Sequence, residues 1–343
     1  MAHMLDRNVF GRIPMAYVGA TPWHGLGQQL QAGADIETWK IQAGLDWTIN
    51  ASHVKYTDQY GTIHTMPGQV VLHRSDDNSP LSVVSERYKV VQPEEVIEFY
   101  RDLTEAHGYE LETAGSLGHG KKVWALAKTG MGKTLKGRDE INNYLLLATA
   151  CDGSMATRAQ FTSVRVVCNN TLSAALRNAD NAIKVPHSTK FNADQVKSDL
   201  GIVRNSWDEF GDIIDEMSRC RVTPKDAAEV IFDLLKSPSS KTIDDESRRN
   251  KNIMREVMTC VARSPGAGLE SADGTAWGLL NGITYYVDHK ANSRSNDNRL
   301  NSAWFGKGAT LKDKAFQRVA ELVDAKPPAP TENVFDLFPN LNG

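Results

Sequence analysis

The hydrophobic rhythm of the chain changes twice. From about Trp47 to Val91, Val, Ile, Thr and Tyr recur in short runs, WTINASHVKY, GTIHTMP, QVVLHR and LSVVSERYKVV, broken by Gly, Asp, Asn and Pro. That pattern predicts strands in antiparallel pairs. PEEVIEFYRDLTEAHG follows, with Pro93 at a first helical position, acids in the first turn, Val96, Ile97, Tyr100 and Leu103 on one face, and Gly108 as the stop. From Tyr109 onward, four strand-like runs joined by Gly-rich turns predict a β-meander feeding a helix that starts near Asn169 or Asn170. After His187 the period lengthens to that of amphipathic helices: FNADQVKSDLGIVRNSWDEFGDIIDEMSRC, TPKDAAEVIFDLL with Thr223 as cap and Pro224 as first position, DESRRNKNIMREVMTCVAR, GTAWGLLNGITYYVDHK and LKDKAFQRVAELV. Asn292 to Arg299 reads as a polar loop.

These runs predict an α+β protein with an antiparallel β-meander of β-β-β-α type and a helical C-terminal half. Residues 1–44 form an irregular arm, in which Tyr17 and Trp23 are the anchors and which is suited to exchange between subunits. Residues 45–188 form the sheet domain, 189–324 the helical region, and 325–343 a Pro-rich linker and flexible tail.

Composition narrows the class. At 343 residues, with 41% hydrophobic and 24% charged positions, the chain is in the globular range and long enough for a large core. No run approaches a membrane span, and the start lacks the apolar core of a secretory signal, so the expected location is the cytoplasm, with no membrane partner. Cys151, Cys168, Cys220 and Cys260 form no C-x-x-C pair, and the nine His residues no zinc-protease or deaminase pattern. No metal and no cofactor are expected.

Charge then locates a candidate site. The net charge is -3, yet Tyr109 to Lys190 carries eleven bases against six acids. Between Thr113 and Arg138 the bases stand without a single acid. Lys121, Lys122, Lys133, Lys136, Arg138, Arg158 and Arg165, with Trp124 and Phe161, have the composition of a groove that follows a phosphate backbone and holds bases.

Two other patterns compete. AKTGMGKT, Ala127 to Thr134, fits a permissive phosphate-loop pattern, which would make Lys133 and Thr134 nucleotide ligands, with Asp152 and Ser154 as helpers. The strand-like INNYLLLATA follows too soon for the helix such a loop requires, and Asp152-Gly153 is first of all a turn. A Cys168 thiol beside His119 or His187 is the corresponding covalent alternative, against a buried thiol. In the tail, Phe335, Leu337 and Phe338 with Asp336 have the format of a short peptide captured by a host replication protein, similar to sliding-clamp ligands.

MAYVGATPWHGLG, VVSERYKVVQPEE, AGSLGHGKKVWALA, CDGSMATRAQFTSVRVVCNNTLSAAL and WFGKGATLKDKA together resemble the phage and plasmid-like protein family, a domain of unknown function carried by bacteriophages, prophages and conjugative plasmids. The opening Met-Ala-His is read as a nearly intact start. The resemblance implies a mobile-element setting in a bacterial host. In architecture alone, the strands and helix from Tyr109 to Asn178 are similar to single-strand annealing recombinases, which implies ring or filament homo-oligomers. The expected function is single-stranded DNA binding and annealing in recombination or replication, without bond-making chemistry. The alternatives are a nucleotide-dependent or nucleic-acid-modifying enzyme, and a protein that recruits host replication or blocks a host defence through its tail.

Overall fold

The structure is a computed structural model that describes residues 13–19, 27–165, 170–173, 182–203, 206–293 and 296–325. Its elements, in chain order, begin with β1 (Met15–Val18), β2 (Gln28–Leu30) and α1 (Ile36–Gln42), then β3 (Ile49–Thr57), β4 (Ile63–Arg74) and β5 (Pro80–Ser85). The helices α2 (Pro93–Glu98) and α3 (Arg101–Ala106) lead into β6 (Glu110–Leu117), β7 (Lys122–Leu135), β8 (Asp139–Ala150) and β9 (Thr157–Arg165). Two short strands follow, β10 (Asn170–Ser173) and β11 (Ala182–Val185). The C-terminal half holds α4 (Ala193–Val203), α5 (Ser206–Arg219), α6 (Pro224–Leu235), α7 (Arg248–Arg263), α8 (Ala276–Tyr285), a π-helical segment Tyr286–Lys290, α9 (Asn296–Phe305) and α10 (Lys307–Ala325).

The fold is α+β, with an antiparallel meander at its centre. The main sheet runs β10-β9-β8-β7-β6-β1-β2, with β11 beside β9, and only the β1–β2 pair among its described pairs is parallel. A second sheet, β3-β4-β5, meets the end of β8, where the Tyr88 hydroxyl donates to the Ala150 carbonyl at 2.7 Å and the Ser82 hydroxyl to that of Cys151. Alternation along β7 and β8 gives the main sheet two apolar faces. Ala125, Ala127, Leu145, Leu147 and, from β9, Phe161 pack against Trp39, Ile97, Phe210, Leu280 and Phe316 of the helices. Trp124, Leu126, Tyr144 and Leu146 face the other way, onto Met15 and onto Leu300, Trp304 and Phe305 of α9.

Three differences from the sequence pattern have local causes. The arm contributes β1 and β2 to the sheet edge, and strands this short show no alternation to read. Asn170–Ser173 is a strand paired with β9 where a helix start was expected; the rest of that expected helix falls outside the described residues. The polar stretch ending at Arg299 is not wholly a loop, because α9 begins at Asn296. The helical half shares one core with the sheet, from Ala16 to Ala320.

The second sheet is fixed by a buried cation. Arg74 stacks on Trp47 at 3.8 Å and holds Asp76 through two hydrogen bonds of 2.9 and 2.6 Å. Its remaining nitrogen donates to the His119 carbonyl at 3.3 Å, in the turn before β7. Gly118, His119 and Gly120 are all left-handed there, and a Cβ on Gly120 would lie 2.7 Å from both Arg74 and Trp47. The Gly-His-Gly signature is therefore a close-approach turn.

Candidate nucleic-acid interface

Residues 136–138 connect β7 to β8, and Lys136 and Gly137 both take positive φ, so the chain reverses tightly and leaves Lys136 and Arg138 exposed. One cross-strand row beside the turn runs Lys133, Ile141, Arg165. Arg165 is placed by its backbone, its side chain lying outside the described residues. The acid of this turn, Asp139, is withdrawn from the surface: its carboxylate accepts the Ser271 hydroxyl at 2.6 Å and the Trp277 indole N–H at 2.9 Å. Two acids remain outside. Glu140 is exposed opposite Thr134, and Asp212 of α5 lies 3.5 Å from the Lys133 amine.

The other cations stand at the far end of β7. Lys121 belongs to the Gly-His-Gly turn, and Lys122 opens the strand. The Lys122 amine donates to Asn301 of α9 at 2.6 Å, above the Phe305 ring. Arg158 shares a row with Trp124 through Ala148, and its buried Nε has no acceptor among the described residues. Lys122 and Lys136 bracket a 14-residue strand, a separation of roughly 40 Å at a strand's rise. The single furrow expected from the charge count is therefore two groups: Lys133, Lys136, Arg138 and Arg165 at the hairpin end, Lys121, Lys122 and Arg158 at the other.

The expected base-stacking rings are not on the surface. Trp124 is 2% exposed and Phe161 3%, on opposite faces of the sheet. Trp124 meets Trp304 edge to face at 5.1 Å. A count of aromatics near cations does not reveal which ring lies under a helix.

The competing chemistries lose their geometry. Ala127 to Thr134 lies within β7: Ala127 and Lys128 pair with both β6 and β8, the ladder is interrupted between Lys128 and Gly132, and Gly132 to Thr134 pair with β8, with a tight turn and β8 itself following. Lys133 and Thr134 thus have no following helix whose amides converge on a phosphate. Asp152 accepts the Ser154 amide at 3.0 Å, a turn bond rather than activation of the hydroxyl. Burial pushes the neighbouring Cys151 thiol up to about 12, so it is no nucleophile. The His187 ring lies 3.0 Å from the Lys89 carbonyl and 3.1 Å from that of Met155, and stacks on Tyr88 at 4.4 Å, which joins the two sheets. Cys168, Trp23 and the tail residues Phe335, Leu337 and Phe338 lie outside the described residues.

Two surfaces escaped the sequence reading. The outer halves of β3 and β4 form a two-stranded ribbon exposing Tyr56, Ile63 and Met66, with Tyr60 at its tip 84% exposed. The signal was present in WTINASHVKY and GTIHTMP, which carry no continuous buried face. A cleft of about 630 Å³ opens between α1, α3 and β6, lined by Trp39 and Leu111. Its Asp35, Glu105, Glu110 and Glu112 outnumber Arg101 and Lys128, so it disfavours phosphate.

Among the described residues, no group of three or more His, Cys, Asp or Glu side chains could hold a metal ion, and no helix is long and apolar enough to cross a membrane. A family model described as a domain of unknown function (DUF932) matches residues 80–304, from the first residue of β5 to Trp304 of α9. No curated protein and no solved structure matches the chain.

Proposed function

We propose that this chain, which belongs to the DUF932 family of domains of unknown function, binds single-stranded nucleic acid and promotes the pairing of complementary strands without making or breaking bonds. The observation that carries the reading is the hairpin end of the main sheet. Lys136 and Arg138 project from the β7–β8 turn beside the Lys133–Ile141–Arg165 row, while the adjacent Asp139 charge is held inside by Ser271 and Trp277. Such a tip neutralises phosphates and releases counterions, which supplies affinity without sequence preference. The antiparallel meander and the resemblance to phage and plasmid proteins support a setting in mobile-element recombination or replication, in the bacterial cytoplasm.

Fluorescence anisotropy with a labelled thirty-base oligodeoxythymidine tests this. The wild-type protein should bind at low salt, and a Lys136→Glu/Arg138→Glu variant should bind at least about tenfold more weakly with a shallower salt dependence. Equal affinity for the oligonucleotide and for a neutral polymer of similar size would remove the reading.

One observation favours a second reading, assembly or partner docking. The β3–β4 ribbon projects with Tyr60, Ile63 and Tyr56 exposed, and both of its outer edges lack a paired strand among the described residues. Open edges with apolar side chains are surfaces that proteins ordinarily cover. Under this reading, Tyr60→Ser/Ile63→Ser changes particle mass in light scattering while oligonucleotide affinity per chain stays constant.

A further inference from the structure

We propose that the sheet face beneath α9 is a closed binding site for one nucleotide of a single strand, which becomes accessible when α9 lifts. The proposal rests on the nucleic-acid reading above and gives that reading a base-contacting surface, which the exposed hairpin end does not supply.

The first observation is unsatisfied chemistry. Trp124 is almost fully buried, and its indole N–H has no hydrogen-bond partner among the described residues. In the same cross-strand row, across Ala148, the buried Nε of Arg158 is likewise without an acceptor among the described residues. Buried donors are nearly always paired, because leaving one unpaired forfeits its hydration without return. Two in one row, beside the Lys122 amine, make a surface that offers donors to an acceptor-rich ligand and an indole face to a planar ring. Phosphate oxygens and a nucleobase are that ligand class.

The second observation is the chemistry of the cover. α9 closes this face through Trp304 against Trp124, Phe305 near the Lys122 amine, and the Asn301 side chain, which accepts from that amine at 2.6 Å. The Asn301 oxygen occupies the place a phosphate oxygen would take. Between the helices and the sheet a cavity of about 20 Å³ remains, bounded by Leu126, Leu146, Gln160 and Thr162 on the sheet, Ala303 and Trp304 of α9, and Ala309 and Lys312 of α10. The chain enters α9 after the π-helical segment Tyr286–Lys290, a geometry that recurs where helices adjust at functional sites.

Opening therefore exchanges Trp304 and Asn301 for a base and a phosphate at the same positions. A protein whose competent state is only partly populated binds with an affinity scaled down by that fraction. Weakening the cover must then strengthen binding, an effect opposite to that of removing an ordinary contact residue.

The experiment is anisotropy with the labelled thirty-base oligodeoxythymidine on wild-type and Trp304→Ala protein, with hydrogen exchange of wild-type protein in the presence and absence of the oligonucleotide. Trp304→Ala should bind at least about threefold more tightly. Amides of residues 298–305 should exchange faster in the complex, and those of 122–126 should not. Wild-type binding with unchanged exchange over 298–305 overturns the site beneath α9 and leaves the hairpin-end reading standing. Tight binding lost in Lys136→Glu/Arg138→Glu but unaffected by Trp304→Ala does the same. Failure of the wild-type protein to bind removes both. Should Trp304→Ala not fold, the exchange result on the wild-type chain decides.

Discussion

The carboxylate of Asp139, the first residue of β8, accepts the indole N–H of Trp277 in α8 at 2.9 Å, across 138 positions of sequence. The Ser271 hydroxyl reaches the same oxygen at 2.6 Å, and all three residues are buried. This junction clamps the β7–β8 hairpin to the helical half. Asp139→Ala leaves two buried donors without that acceptor and should lower unfolding free energy by about 2–5 kcal/mol in urea. Trp277→Phe, which removes one donor and leaves the carboxylate bonded to Ser271, should cost less. A ranking with Trp277→Phe the more damaging would show that packing, not the hydrogen bond, makes the joint.

The amine of Lys312 in α10 meets the Asp288 carboxylate at 2.8 Å, with side-chain exposures of 5% and 8%. Lys312→Met takes the countercharge from the buried Asp288 carboxylate and should cost about 3–5 kcal/mol, whereas Lys312→Met/Asp288→Leu should recover most of that loss. A double variant as unstable as the single one would mean that the pair's hydrogen bonds to its surroundings, rather than its charges, set the stability.

Gly120 has a φ of +96°, and any side chain there meets Arg74 and Trp47. Gly120→Ala should therefore destabilise by about 3 kcal/mol through strain and overpacking together. Protease cleavage should rise first between β3 and β5, because Arg74 is the bridge from that sheet to the turn. Uniform loss of protection over the whole chain would argue against a localised junction.

What the sequence disclosed divides along physical lines. Local signals were readable: Thr223 accepts from the Asp226 amide and Asp226 from the Thr223 amide, the capping box its spacing announces. Gly108 closes its helix with a φ of +70°. Signals that depend on partners distant in sequence were not readable. PEEVIEFYRDLTEA reads as one helix, yet it breaks into α2 and α3 at Phe99 and Tyr100, where the Tyr100 hydroxyl lies 2.9 Å from both the Ala125 and the Leu145 carbonyls, so the sheet fixes the break. The same limit governs the site. A count of cations gives total charge, but β7 carries Lys122 and Lys133 on opposite faces across its bulge, and the acid beside Lys133, Asp212, arrives from α5. Trp124 was found by composition, and its cover, α9, was hidden because the first half of that helix is polar.

Thiol reactivity offers a check on the buried ends of the strands. Burial raises Cys151 to about 12 and raises Cys260 as well, whereas Cys220 is half-buried. Iodoacetamide at pH 8 should modify Cys220 in the native protein and leave Cys151 and Cys260 intact until denaturant is added. Rapid native labelling of Cys151 would mean that the contact between the two sheets opens in solution.

Glu112 carries the clearest dependence on pH. Burial against the sheet raises its carboxyl above the ordinary glutamate value, while the Tyr144 hydroxyl, donating at 2.7 Å, and the Lys128 charge pull it partly back. The native state then holds this proton more tightly than the unfolded chain does. The stability associated with it is complete below the unfolded glutamate value of about 4.3 and is lost as pH rises through the higher native value. Glu112→Gln removes the titration and still offers Tyr144 an amide oxygen. The variant should match the wild type near pH 4 and exceed it in urea stability at pH 8. An advantage that appears at low pH and vanishes at high pH would reverse the sign and place the carboxylate in a stabilising ionic contact instead.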